Sequence, residues 1–453
     1  MKYQFKALLT NHGWMENATI TVDENGLIKS IATDEDKESN EGVNGLALPG
    51  FQNAHSHAFQ YAMAGLAEVH PHHKSADDFW SWRNTMYEIA LSISPDTLFE
   101  VALLLYRQML RHGYTSVAEF HYLHHDPTGE PYSNLAEMGE RLAAAAGQAG
   151  IKITLIPMFY QRGGFGKPAE KNQRRFISRD LDTYMKLLDA SRSVIKQYAG
   201  ATLGMGVHSL RAVDGDLIRE CFQLRQNGIP FHIHIAEQLK EVSECEAFYG
   251  RRPVEWFLES CQPDHTTHLV HATHLTESEV WGIAASGANV VLCPSTEANL
   301  GDGLFRFHDF KMAGGKWSIG TDSHIGLNPF EELRMLDYGQ RLISHRRNTF
   351  TLEDKADSGF NAIEMSISAG RLAMGRTDHQ FFDIGMPFDA VVIDADSPLL
   401  AGSSPEQWCS TLIYTGDVSD VLGTIVNGQW KYHRESHDAF PKTVQTFLNL
   451  RKR

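Results

Sequence analysis

"LALPGFQNAHSHAFQYAMAGLAE", residues 46–68, opens with an apolar run, turns at Pro49-Gly50, and then sets His55 and His57 one residue apart. In a β-strand, residues i and i+2 point to the same face. Two neutral imidazoles at the end of a buried strand can therefore chelate one metal ion. A lone H-x-H is a weak signal in a chain with 23 histidines. Its weight depends on what the rest of the chain brings to the same place.

Working outward, seven further apolar runs share the texture of the first: "GYTSVAEFHY", "IKITLIPMFY", "TLGMGVHSL", "PFHIHIAE", "THLVHATH", "ANVVLCPST" and "KWSIGTDSH". Longer stretches with helical spacing lie between them, including 95–112, 134–149, 178–199 and 328–346. Eight strand–helix repeats close most economically into one parallel barrel. A doubly wound open sheet is the alternative, but no G-x-G-x-x-G follows the first strand. The ends of the chain read differently. "YQFKALLT", "ATITVDENGLIKSIAT", "FDAVVIDAD" (388–396) and "VLGTIVNGQWKYH" (421–433) are β-rich runs with turns at Glu24-Asn25-Gly26 and Asn427-Gly428. The expected division is a small β-sandwich from residues 1–45 and 385–435, a barrel from 46–384, and a helical, basic tail from 436–453, whose Arg451-Lys452-Arg453 is read as solvated.

With 41 Lys and Arg against 56 Asp and Glu, the net charge is −15, which argues against a nucleic-acid partner. Five cysteines without a framework spacing, no secretory pattern in "MKYQFKALLTNHGW" and no membrane-length apolar run lead to the expectation of a soluble cytoplasmic protein with no membrane partner.

Polar residues gather where the strands end. These are His55 and His57, then Glu119, His121 and Tyr122, then His208 and Arg211, then "HIHIAEQ", "HATH" and "GTDSH". In a barrel enzyme the C-terminal rim is where reacting groups meet. Any one such ending could be an ordinary core histidine; six together point to a site. His55, His57, His234 and Asp322 form a set suited to one divalent first-row ion. Zinc is its most frequent occupant, with iron or manganese fitting the same atoms. His232 shares the face of His234 but lies deeper in its strand and stands as the alternative. An ion there would acidify a water to a pKa of about 7, the nucleophile of the expected reaction. Glu237, three residues past His234, lies close enough to act as a proton donor.

These endings resemble the amidohydrolase superfamily, in its mononuclear deaminase branch, since no lysine stands at the end of the fourth strand. The resemblance implies a distorted (β/α)8 barrel beside a small β-sandwich built from both termini. "NAHSHAFQYAMAGLAE", "GYTSVAEFHYLHHD", "HSLRAV", "HIHIAEQ", "LVHATH", "STEANLGDG" and "GTDSH" resemble the formimidoylglutamate deiminase family within that branch. This likeness implies hydrolysis of N-formimidoyl-L-glutamate to N-formyl-L-glutamate and ammonia, in histidine degradation, by a homodimer. It implies Glu237, His271 and Asp322 as catalytic groups and Gln60, Tyr122 and His208 as substrate contacts. Arg211 is the expected carboxylate anchor because a guanidinium binds carboxylates in a bidentate fork. Arg83, in an aromatic segment within 67–92 that suits either a lid or an interface, is a further candidate. The competing readings are a ring deaminase acting on guanine, cytosine or an adenosine derivative, and a non-catalytic barrel. His70, His72, His73, His124, His125 and Asp126 read as loop residues, His324 as orienting the last strand's end, and "STEANLGDG" as a loop-shaping turn.

Overall fold

The computed structural model describes residues 1–33, 41–68, 79–226, 228–347, 349–352, 357–436 and 441–452. His70, His72 and His73 lie outside them. The chain opens with β1 (Lys2–Thr10), β2 (Gly13–Val22), β3 (Ile28–Thr33) and β4 (Glu41–Pro49), and near its end adds β14 (Ala390–Asp394), β15 (Val421–Val426) and β16 (Gln429–His433). These seven strands form one mixed sheet in the order β16-β15-β14-β4-β1-β2-β3. Only the β1–β4 pair is parallel.

The sheet serves two cores. A register shift between Phe5 and Ala7 breaks the alternation of β1. Tyr3, Phe5 and Leu8 consequently face a core of the sheet's own, while Ala7 and Leu9 join the core shared with the barrel. The sheet curls until its two expected hairpin turns touch. Tyr3 donates its hydroxyl to the Gly428 carbonyl at 2.9 Å. Gly26 sits at φ +78°, where an added Cβ would lie 1.9 Å from the Asn427 carbonyl oxygen.

Between the terminal strands run β5 (Phe51–Ser56), β6 (Tyr114–His121), β7 (Lys152–Phe159), β8 (Ala201–Leu203), β9 (Met205–Val207), β10 (Phe231–Ile235), β11 (Thr267–His271), β12 (Asn289–Leu292) and β13 (Lys316–Ile319). Eight of them, β5-β6-β7-β9-β10-β11-β12-β13, form a parallel, nearly closed barrel, with β8 paired to β7 alone. The helices between them begin at side chains that accept backbone N–H groups, as Ser94 does from Thr97, Asp180 from Thr183 and Thr276 from Glu279. The fold is the expected α/β barrel with a sheet from both termini.

Two local expectations change. "LALPGFQNAH" is two strands. Leu46–Pro49 pairs with β14 in the terminal sheet, and the chain passes through Gly50 straight into β5. The side chain of Thr115 would meet a Cβ at Gly50 at 2.2 Å, so only glycine permits this crossing. The basic tail is also not solvated throughout. Helix Pro441–Arg451 docks on the barrel, where Arg451 donates to the carbonyls of Ala62 and Ala64 at 3.2 and 2.9 Å. Thr443 bonds Glu100 at 2.6 Å.

All five cysteines are buried and unpaired. Among the described residues, no helix is long and apolar enough to cross a membrane. The contact between the two turns gives a direct test of the sheet's curl. Gly26→Ala combines a left-handed backbone with a blocked Cβ and is expected to cost about 1–3 kcal/mol, read as a lower urea midpoint, while metal binding at the barrel mouth stays intact.

Candidate active site

The barrel closes between its first and last strands, and that seam sets the first donors. Backbone N–H groups of Thr321 and Asp322 both donate to the carbonyl of His55, at 3.2 and 3.0 Å, and the His57 N–H donates to that of Asp322 at 3.2 Å. Asn53 clamps the seam from below, donating to Thr321 Oγ1 at 2.7 Å and accepting its N–H at 3.0 Å. His55, His57 and Asp322 therefore occupy one frame. His57 Nε2 lies 3.1 Å from Asp322 Oδ1, and His55 Nε2 lies 3.4 Å from it.

The third imidazole arrives from β10. His55 Nε2 stands 3.0 Å from the Nε2 atoms of both His57 and His234. The far sides of two rings are already committed: His57 Nδ1 donates to the Phe120 carbonyl at 2.5 Å, and His234 Nδ1 to the His208 carbonyl at 3.0 Å. Their Nε2 atoms consequently present lone pairs. Burial opposes a charge on two of the rings: it pushes His55 down to about 3 and His234 well below the usual range. Burial alone would raise the Asp322 carboxyl, but its closeness to His55 and His57 holds it well below the ordinary value. Lone pairs converging at 3.0 Å repel unless a cation lies among them. Three imidazole nitrogens and a carboxylate, all with donor atoms within 4.8 Å of one another, are the donor set of a divalent ion. His232 does not take part; its Nε2 bonds the Ala373 carbonyl at 3.1 Å, on the helix behind the strand.

Beneath the donors, Gly206 makes room for Phe120, whose ring centroid lies 5.4, 5.8 and 5.1 Å from those of His55, His57 and His234. To one side, Glu119 accepts from Ser56 Oγ at 2.5 Å, from the Ala58 N–H at 2.7 Å and from Tyr106 at 3.2 Å. This carboxyl grips both chain neighbours of His57, and burial pushes it up to about 7. Strain is concentrated here as well. Of nine non-glycine residues with positive φ among the described residues, five (Ala236, His271, Ala272, Asp322 and His324) stand at the ends of barrel strands or one to a few residues beyond. A rigid frame holds such backbones where they aim side chains.

Facing the four donors, Glu237 Oε1 lies 3.7 Å from His271 Nε2, and His271 Nδ1 lies 3.3 Å from Glu297 Oε1. Burial pushes Glu237 up to about 7. Burial opposes a charge on His271, but Glu237 and Glu297 outweigh it and raise the imidazole. Gln60, Tyr122, His208, Arg211 and Arg83 line one pocket with His57, His234, Glu237, His271 and Asp322. The structure thus gathers every candidate site residue, with His55 directly behind. Tyr122 places its hydroxyl 2.9 Å from His57 Nε2. Helix Phe79–Ser92 forms one wall, contributing Trp82, Arg83, Met86 and Tyr87.

His124 and His125 are not at this pocket. Their Nε2 atoms bond the carbonyls of Met158 and Ile177. His324 braces the seam, with Nδ1 2.9 Å from Thr321 Oγ1. Four residues of the site escaped the sequence reading. Glu297 sits in "STEANLGDG", read as a loop although it too follows a barrel strand. Tyr160 directly follows β7, a rim position that could have flagged it. Tyr87 lies one helical turn past Arg83 and so shares its face. Glu119 was noted only as a polar strand end.

The amidohydrolase family profile matches residues 46–431. The chain belongs to the amidohydrolase family. Formimidoylglutamate deiminase of Pseudomonas aeruginosa is 40% identical over 98% of this chain and 97% of its own length. Among solved structures, an amidohydrolase from Brucella melitensis superposes with a TM-score of 0.91 at 39% identity, covering 100% of this chain and 99% of that one. An adenosine deaminase from Xanthomonas campestris, solved with bound zinc, has a TM-score of 0.82 at 20% identity, covering 100% and 97%; it shares the fold.

This amidohydrolase is expected to bind about one divalent ion per chain. Asp322→Asn or His55→Ala should reduce metal content, measured by plasma mass spectrometry after gel filtration, to under about a tenth of that stoichiometry. His232→Ala should leave the stoichiometry unchanged.

Proposed function

We propose that this amidohydrolase hydrolyses N-formimidoyl-L-glutamate to N-formyl-L-glutamate and ammonia. The observation that carries the reading is the meeting of two guanidiniums, Arg83 and Arg211, with the His55/His57/His234/Asp322 group in one pocket. A substrate with two carboxylates on a small hydrolysable amidine matches both halves of that pocket. The 40% identity to a formimidoylglutamate deiminase over nearly the full length of both chains supports the same assignment.

A divalent ion held by the four donors, zinc in our reading, supplies the Lewis acidity that brings a water's pKa toward neutrality. The chain's own residues do the rest. Arg211, buried at the end of the fourth barrel strand, and Arg83 hold the carboxylates and so fix the formimidoyl carbon beside Asp322 and Glu237. Asp322 takes a proton from the attacking water as the C–O bond forms and the C=N π pair moves to nitrogen. Glu237, which burial keeps protonated up to about pH 7, gives its proton to that nitrogen. His271, held in place by Glu297, faces the developing oxygen charge and stabilises it. Asp322 then passes its proton to the same nitrogen, the C–N bond breaks with its electron pair leaving on ammonia, and the hydroxyl proton returns to Glu237 as the carbonyl forms. Five buried thiols, none in a disulfide, suit a reducing, cytoplasmic setting.

Ammonia release from N-formimidoyl-L-glutamate, run beside guanine, cytosine and adenosine, tests the assignment. Turnover of the first alone is expected. Glu237→Gln should lower kcat about 10²–10⁴-fold with metal content retained. Arg211→Met should act chiefly on KM, lowering kcat/KM by about 10²-fold or more. Turnover of a nucleobase or nucleoside in preference would overturn the assignment.

A further inference from the structure

Behind the pocket wall lies a buried amide whose orientation decides what the wall offers a ligand. Gln173 is wholly buried. Its Oε1 accepts the backbone N–H of Glu170 at 2.8 Å. That donor can meet only an oxygen, so the NH₂ end is fixed as the one facing the pocket. From there Nε2 reaches two phenol oxygens, Tyr87 at 2.8 Å and Tyr160 at 3.0 Å. Both tyrosines line the pocket and are almost fully buried.

The consequence follows from proton counting. Each phenol oxygen accepts from Gln173, so each O–H proton must go elsewhere. Neither hydroxyl donates to a backbone or carboxylate acceptor among the described residues. If one phenol turned its proton to the other, the second would still have one to give. A buried donor left without an acceptor is strongly disfavoured. At least one phenolic proton is therefore aimed into the pocket, awaiting an acceptor brought by a ligand.

The surroundings define that acceptor. Arg83 lies over the Tyr87 ring, its guanidinium carbon 5.5 Å from the centroid. Arg211 and Arg83 both act electrostatically on the Tyr160 hydroxyl. Two cations and oriented phenolic donors together form a site for an anion that accepts hydrogen bonds, which is a carboxylate. The site is also displaced from the reacting end. Ring centroids step 5.0 Å from His234 to His208 and 4.7 Å from His208 to Tyr160. A carboxylate held there stands two rings away from the metal donors, at the far end of an extended chain.

We propose that Tyr87 and Tyr160, turned into donors by Gln173, bind the γ-carboxylate of the substrate and select for an acidic group at that end. This inference rests on the assignment of N-formimidoyl-L-glutamate as substrate. Gln173 does not touch the ligand; it is a positioning residue. Its exchange for glutamate should reverse the device, because a carboxylate at that position draws the phenolic protons to itself. The phenols would then turn lone pairs toward the pocket and repel an incoming carboxylate.

The test compares kcat/KM for N-formimidoyl-L-glutamate with that for N-formimidoyl-L-glutamine, whose distal end is an uncharged amide. The double variant Tyr87→Phe/Tyr160→Phe and, separately, Gln173→Glu are each expected to lower the ratio of the two values about tenfold or more. The loss should fall in KM for the diacid, with metal content retained. Should Gln173→Glu fail to fold, the double variant decides alone. An unchanged ratio in a folded, metal-loaded variant overturns the role of the phenols while leaving the substrate assignment standing. A wild-type protein that turns over neither compound overturns both.

Discussion

The seam between the first and last barrel strands is the constraint on which the site depends. Two backbone hydrogen bonds tie His55, His57 and Asp322 to one another, and a third runs from Thr321 to His55, before any ion is considered. Asn53 locks the same seam through its side chain. A Cβ at Gly320 would lie 2.8 Å from that of His55, so the last strand comes this close only through a glycine. Donors contributed by residues 267 positions apart are thereby held to within a few ångströms by ordinary main-chain pairing. The left-handed backbone of Asp322 is the local cost of turning its carboxylate inward.

Burial then divides the ionisable groups into two kinds. Burial outweighs the pull of Asp322 on His55 and, with the neighbouring imidazoles, holds His234 low as well, which makes ligands of both. At Glu237 burial outweighs the pull of His271 and Arg211, and at Glu119 it outweighs the hydrogen bonds, so both carboxyls are pushed up toward neutrality, which suits Glu237 to donate a proton and leaves Glu119 a hydrogen-bonded clamp. The same low-dielectric surroundings thus favour neutral imidazole ligands and protonated carboxyls within one pocket.

Much of this was legible in the sequence because chemistry-bearing residues fall at one kind of place in a repeating pattern. Eight apolar runs, each ending in polar residues, suffice to suggest the barrel and its rim. Alternation could not separate His232 from His234, since both face the same side; the Ala373 carbonyl makes the choice by claiming His232. Nor could it divide "LALPGFQNAH", because both halves are apolar and the break depends on how closely Thr115 approaches Gly50. Gln173 was invisible for a different reason. Its role lies in a hydrogen-bond direction set across 86 residues of sequence, and composition carries no trace of it. Arg451 looked like a solvated charge until its helix was seen to dock.

The seam and β10 together present four donors to one ion. This is tested most directly by anomalous diffraction at the absorption edge of the metal in crystals of the loaded protein. A single peak among His55, His57, His234 and Asp322 is the predicted result. A peak instead at the other buried cluster, His271 with Cys293 and Glu297, or peaks at both, would contradict it.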